Sequence, residues 1–286
     1  MVTRRRLLAG GAGAALAAAA AALLGRRGPD LPDGVERDVE RYGAEPEQVV
    51  EWWLPARPAG PLRTVVLVHG GFWRPGFDRS LEHDVAAALV ERGLLVANVD
   101  YRPSSVPWPA TLADVAAAHD LLSTGTHAGR VAPDGVAVAG HSAGGHLALW
   151  LASRHRLPPG AVGARPLGPR PALVVAQAPV AALRTAARER LGGGAVQALL
   201  GGGPGEVPDR YRVADPVGLL PTGVRTVCVH GDADDVVPPA QSREYVRAAT
   251  RAGDDARLEL VPGGHFEHLE PMTAAGAALV AALDLR

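Results

Sequence analysis

Short apolar runs separated by segments of helical periodicity dominate the pattern along this chain. Residues 64–68 form a continuous run rich in β-branched side chains, as expected of a strand buried on both faces. Residues 94–99, 136–139, 172–176, 225–229 and 257–261 read in the same way, and 48–54, ended by Pro55, gives an earlier strand. Helical patterns cover 80–92, stopped at Gly93, then 109–122 with proline at its start, and later 240–252 and 274–283. Strands alternating with helices predict an α/β fold, a mostly parallel, twisted sheet with helices on both faces. Ligands of such sheets collect outside the carboxyl ends of the strands. Residues 180–220 break the alternation and carry Gly192-Gly193-Gly194 and Gly201-Gly202-Gly203. They read as a small cap-like insertion over the site or as a surface excursion.

The two ends of the chain differ in character. Residues 1–30 read as an address: Thr3-Arg4-Arg5-Arg6-Leu7-Leu8 resembles a twin-arginine export signal, followed by a mildly apolar, alanine-rich run over 7–24. Those 18 residues are just long enough to span a bilayer if uncleaved, so exported soluble and membrane-tethered forms are both expected. Residues 31–41 read as a linker, and 42–286 as one domain. The net charge of −1, with all 29 cationic residues arginine, gives no basic stripe in the body and so no footprint for nucleic acid. The single cysteine, Cys228, excludes an internal disulfide and falls in an apolar strand pattern, where a buried structural thiol is expected.

Chemistry enters at the strand ends. Gly140-His141-Ser142-Ala143-Gly144 follows the 136–139 strand and precedes a small, apolar helical stretch. This G-x-S-x-G pattern suits a sharp strand-to-helix turn that holds a serine hydroxyl exposed beside a base. Of ten histidines, His265 and His268 lie just past the last strand, and the Gly263-Gly264 pair favours His265 as the base. Asp232, Asp234 and Asp235 follow the penultimate strand, and spacing does not choose among them for the acid that orients the imidazole. His69-Gly70-Gly71-Phe72-Trp73 follows the 64–68 strand, where glycines let backbone N–H groups turn toward a substrate oxygen.

The order Ser142, aspartate cluster, His265 resembles the α/β-hydrolase superfamily from about Tyr42 onward. The HGG-aromatic-Trp loop, with Asp100-Tyr101-Arg102 and Trp108-Pro109-Ala110, is similar to the esterase branch. That branch includes carboxylesterases, acetylxylan or feruloyl esterase-like enzymes and kynurenine formamidase-like enzymes. The resemblance implies an α/β-hydrolase fold. Its H-G-x-x-D-x-x-V-P pattern selects Asp234 as the acid, and it implies oxyanion donors at Gly71, Phe72 and Ala143. Gly70-Gly71-Phe72 departs from the three glycines of the hormone-sensitive-lipase-like group, and Ala143 departs from the aromatic usual in prolyl-oligopeptidase-type elbows.

The expected function is serine-dependent cleavage of small carboxylic esters through an acyl-enzyme, with no metal or cofactor and a small-molecule ester as partner. Trp73, Trp108 and Phe266 are candidates for the substrate pocket or for plain packing. Arg74 and Arg102 are candidates for a substrate carboxylate or for structural ion pairs. An arylformamidase-type C–N hydrolase and a non-catalytic envelope binding protein are the alternatives.

Overall fold

A computed structural model of the chain describes residues 31–284, apart from positions 56, 57 and 59. The export-signal reading of residues 1–30 lies outside the described residues. Eight strands form one sheet: β1 Val35–Arg41, β2 Val49–Pro55, β3 Leu62–Val68, β4 Leu95–Val99, β5 Val131–His141, β6 Leu173–Gln177, β7 Arg225–Gly231 and β8 Ala256–Val261. Their spatial order is β1-β2-β4-β3-β5-β6-β7-β8. The pairs β1–β2 and β2–β4 are antiparallel, and every other pairing is parallel.

The helices are α1 His83–Val90, α2 Ala110–Thr124, α3 Ala143–Ser153, α4 Leu183–Arg188, α5 Leu191–Leu200, α6 Pro208–Ala214, α7 Ala240–Arg251 and α8 Ala274–Asp284. Along β3, Val66 and Val68 join the core beneath α2, α3 and α7, while Val65 and Leu67 join the core beneath α1 and α8. Strands β5 and β6 divide in the same alternating way, Val138 and Val174 to one side, Ala139 and Val175 to the other. Side chains of a strand point alternately to opposite faces, so a sheet covered on both needs apolar residues at every position. The unbroken apolar runs of the sequence are that requirement written out.

Two expectations need correction. Residues 35–41, read as linker, form β1, which pairs along β2 from Val35–Pro55 to Arg41–Val49. Its sequence, Val-Glu-Arg-Asp-Val-Glu-Arg, lacks an apolar face because it is an outer strand exposed to water. The helix expected over 80–92 begins as a 3₁₀ turn, Arg79–Glu82, before α1. In the insertion, α4, α5 and α6 pack onto the α2–α3 core through Leu183, Val196, Leu199 and Tyr211. The segment is helical and packed against the domain.

Glu82 closes that 3₁₀ turn fully buried, with neither carboxylate oxygen meeting a hydrogen-bond partner. Burial pushes its pKa up to about 8. The folded protein then holds a proton that the unfolded chain releases, starting from the ordinary value of 4.5. The stability this supplies is complete below the ordinary value and is lost as pH rises through the raised one, by up to about 1.4 kcal/mol per pH unit. Glu82→Gln carries no charge to release. Its stability relative to the parent, from urea unfolding at a series of pH values, is expected to grow steadily between those two pKa values. A difference independent of pH over that window overturns the assignment.

Candidate active site

Strand β5 ends at His141 and α3 begins at Ala143, so one residue, Ser142, turns the chain from sheet to helix. Its backbone sits at φ 58°, ψ −116°. For a residue with a side chain such a conformation costs on the order of 1–3 kcal/mol and persists only where its surroundings over-determine it. They do so here. The Ser142 N–H donates to the Gln177 carbonyl at 2.8 Å, and its carbonyl accepts from His146 N–H at 3.1 Å and Val180 N–H at 3.2 Å. The flanking glycines are there for proximity. A Cβ on Gly140 would collide with the Gly144 backbone, one on Gly144 with the Val68 and His69 carbonyls, and one on Gly145 would come within 2.9 Å of Pro179.

The other two residues of the sequence reading come from the next strand ends. His265 Nε2 lies 3.0 Å from Ser142 Oγ, and its Nδ1 lies 2.7 Å from Asp234 Oδ2. An ionised carboxylate only accepts, so the proton sits on Nδ1 and the Nε2 lone pair faces the serine hydroxyl. The three aspartates left open by spacing are separated by burial: Asp234 is 7 % exposed, whereas Asp232 and Asp235 face water. Asp234 Oδ1 accepts the N–H groups of Val236 at 2.9 Å and Val237 at 2.8 Å. Burial alone would raise the Asp234 carboxyl, but hydrogen bonding from His230 and His265 outweighs it and holds the group far below the usual carboxylate range. The acid therefore stays charged at neutral pH.

The loop after β3 turns with three successive positive φ values, 107° at Gly71, 50° at Phe72 and 55° at Trp73. It lies against the elbow: a Cβ on Gly70 would come within 3.2 Å of Ser142 Cβ. Among the described residues, no acceptor takes the N–H of Gly71, Phe72 or Ala143. These donors are free near the strand ends, and Ala143 opens the first turn of α3, where N–H groups have no partner within the helix.

The aromatic candidates part company. Phe266 meets the His265 ring edge-on, with centroids 5.3 Å apart. Trp108 is half-buried against the core. Trp73 is buried and packs edge-on to His146 at 5.2 Å. Arg102 closes a bidentate pair with Asp114, Nη2 to Oδ1 at 2.7 Å and Nε to Oδ2 at 2.8 Å, which makes it structural. Arg74 meets no carboxylate among the described residues; it lies over the Phe72 ring and donates to the Gly192 carbonyl of the cap. His268, expected to enter the last helix, instead lies in the 3₁₀ turn Phe266–Leu269 before α8, with both ring nitrogens buried and unpartnered. Burial and the neighbouring His265 and His230 push its pKa down to about 3, so it is no rival base.

Two further imidazoles escaped the sequence reading. His141, inside the elbow, directs Nε2–H to the His265 carbonyl at 2.9 Å and stacks obliquely on the His265 ring. His230, the penultimate residue of β7, lies 3.3 Å from Asp234 Oδ2. The only signal in the sequence was that each occupies a strand end beside a glycine. The elbow itself yields a check. Gly144→Ala places a methyl group against two carbonyls of β3 and its following loop, and is expected to cost about 3 kcal/mol. A change below about 1 kcal/mol in denaturant unfolding would show that the turn is looser than this.

The sequence profile of the BD-FAE family, an α/β-hydrolase esterase family, matches residues 50–248. Esterase LipC of Mycobacterium tuberculosis is 31 % identical over 118 residues, an alignment covering 40 % of this chain and 28 % of LipC. The chain thus spans little more than a quarter of that relative's length. Two solved structures share the fold. A truncated carbohydrate esterase from gut microbiota superposes with a TM-score of 0.76 at 21 % identity, covering 90 % of this chain and 98 % of that one. Esterase B from Lactobacillus rhamnosis gives 0.78 at 19 %, covering 96 % and 93 %. With the elbow, the eight-stranded sheet and a profile match over most of the domain, this chain belongs to the BD-FAE family and has the α/β-hydrolase fold.

Proposed function

We propose that this protein is a serine esterase that cleaves small carboxylic esters through an acyl-enzyme. The observation that carries the reading is one imidazole bridging a serine hydroxyl at 3.0 Å and a buried carboxylate at 2.7 Å. His265 Nε2 takes the proton as Ser142 Oγ attacks the acyl carbon, and Asp234 stabilises the imidazolium that results. Negative charge gathers on the former carbonyl oxygen, and the unengaged N–H groups of Gly71, Phe72 and Ala143 are the donors for it. A single donor of this kind is typically worth about 10²–10³ in rate. His265 hands its proton to the leaving alcohol, then activates a water that hydrolyses the acyl-enzyme. Membership of an esterase family and the esterase names of its structural neighbours support the reaction class.

A fluorophosphonate probe is expected to label the folded protein on Ser142, and Ser142→Ala is expected to remain unlabelled. Absence of adduct on the parent protein overturns the esterase reading. Turnover of short aryl acetates is expected to exceed that of N-formyl anilides; the reverse preference assigns the site to C–N hydrolysis. Ser142→Ala and His265→Ala should each lower kcat by about 10⁴-fold or more, and the double variant should lose little beyond either, because the groups act as a unit. Near-parental turnover by either single variant removes that residue from the mechanism.

The twin-arginine-like segment Thr3-Arg4-Arg5-Arg6-Leu7-Leu8 supports export of the folded enzyme by that route. Replacing Arg4, Arg5 and Arg6 together by alanine is expected to leave the protein inside the cell on fractionation. Unchanged export in that variant rejects the route.

A further inference from the structure

Asp234 is shared by two imidazoles, of which the proposed reaction uses only one. His230 is completely buried. Its Nε2 lies 2.8 Å from the Val237 carbonyl oxygen and 3.3 Å from Asp234 Oδ2, the same oxygen that receives His265 Nδ1. Its Nδ1 lies 2.7 Å from Ser242 Oγ in the first turn of α7. A carbonyl and an ionised carboxylate are both pure acceptors, so the His230 proton belongs on Nε2. Nδ1 is then the acceptor, and the Ser242 hydroxyl donates to it and fixes the tautomer. A continuous line of polar contacts thus runs from α7 to the elbow: Ser242, His230, Asp234, His265, Ser142.

We propose that His230 is a positioning residue for the esterase reaction: its Nε2–H, held between the Val237 carbonyl and Asp234 Oδ2, fixes the carboxylate and withdraws part of its charge, and so sets how strongly His265 binds a proton. This rests on the esterase reading above. Two effects make up the role. By tying down Val237, His230 steadies the turn whose N–H groups hold Oδ1. By standing beside Oδ2, it competes with His265 for the same lone pairs. A donor to a carboxylate stabilises the charged form and weakens its pull on other protons, and the effect is larger away from water.

The remaining groups around His265 leave that balance to His230. Facing it are Ser142 and His141 from the elbow, Phe266 and His268 from the turn after β8, and Asp234 from the loop after β7. Burial first, and then the neighbouring His265, keep both His141 and His268 neutral. Asp234 is therefore the full charge in contact with the His265 ring, and His230 is the side chain that shares it.

The test compares His230→Leu, His230→Gln and Ser242→Ala with the parent in the full-length protein, measuring kcat and KM for a short aryl ester across pH. Removing the Nε2–H leaves Oδ2 to His265 alone and strengthens the imidazolium. The acid limb of kcat in His230→Leu is expected to move up by about one pH unit, a loss of about tenfold on the acid side, with KM within about twofold of the parent. His230→Gln keeps a donor and should restore the limb to within about 0.3 unit. Ser242→Ala frees the tautomer and should shift the limb in the same upward direction by less. NMR titration of the His265 ring, which needs no turnover, is expected to move upward with the kinetic limb. Lack of ester turnover by the parent rejects the esterase reading, while the NMR titration still judges His230. An acid limb and a titration that stay put in His230→Leu, or a loss uniform across pH, overturn the proposal. Should that variant not fold, an unmoved limb in Ser242→Ala overturns it.

Discussion

A serine held between strand and helix at a positive φ is a conformation the chain would leave if it were free to. It stays because the elbow is braced from three sides. The Gln177 carbonyl in β6 receives its N–H, the Val180 N–H at the head of the cap meets its carbonyl, and β3 presses its own carbonyls against Gly144. The brace exists only when β3, β5 and β6 are adjacent and in register, with Val68 opposite Gly140 and Gly140 opposite Ala176. Local strain at the hydroxyl is thus supported by the whole centre of the sheet. The dense, mostly aliphatic core on both faces is what keeps those strands from shifting.

Electrostatics around the site follows from the same dryness. Around the elbow lie the Asp234 carboxylate and several imidazoles, all largely shielded from water. A charge in that setting is tolerable only with donors at close range. Asp234 has two backbone N–H groups on one oxygen and imidazole nitrogens near the other. His141 and His268 answer the same dryness by shedding their charge instead. Glu82, in the 3₁₀ turn before α1, takes the third course and keeps its proton. Three solutions to one desolvation problem coexist within a single sheet.

How much of this was legible depended on whether a residue's role is local. The inner strands announced themselves because burial on both faces leaves little room for polar positions, Glu51 and Asn98 being exceptions. The serine turn was legible because crowding there demands small residues at fixed offsets. Strand β1 escaped because an outer strand bathed in water has no apolar requirement, and its charges read as a linker. Asp234 was not separable from Asp232 and Asp235 by spacing, since what distinguishes it is a turn that buries one carboxylate among three; resemblance supplied the choice. His141 and His230 were not singled out because their contacts, with the His265 carbonyl 124 residues on and with Asp234 across the turn after β7, carry no mark in the sequence. The cap was legible as a break in pattern, but its helices, built on small and glycine-rich stretches, were not.

Residues 180–220 also meet the loop after β3 at an aromatic ring. Gly192, at the start of α5, lies so close to Phe72 that a Cβ there would come within 2.8 Å of the ring, and Arg74 ties the same glycine from beside it. Ser142 beneath has only 1 % of its surface exposed. Phe72 is therefore held on two sides, its ring against Gly192 and Arg74 and its backbone in the loop that lies against the elbow. Any displacement of Gly192 from the loop after β3 must first release that ring. One ring thus couples the segment around Gly192 to the loop beside the serine.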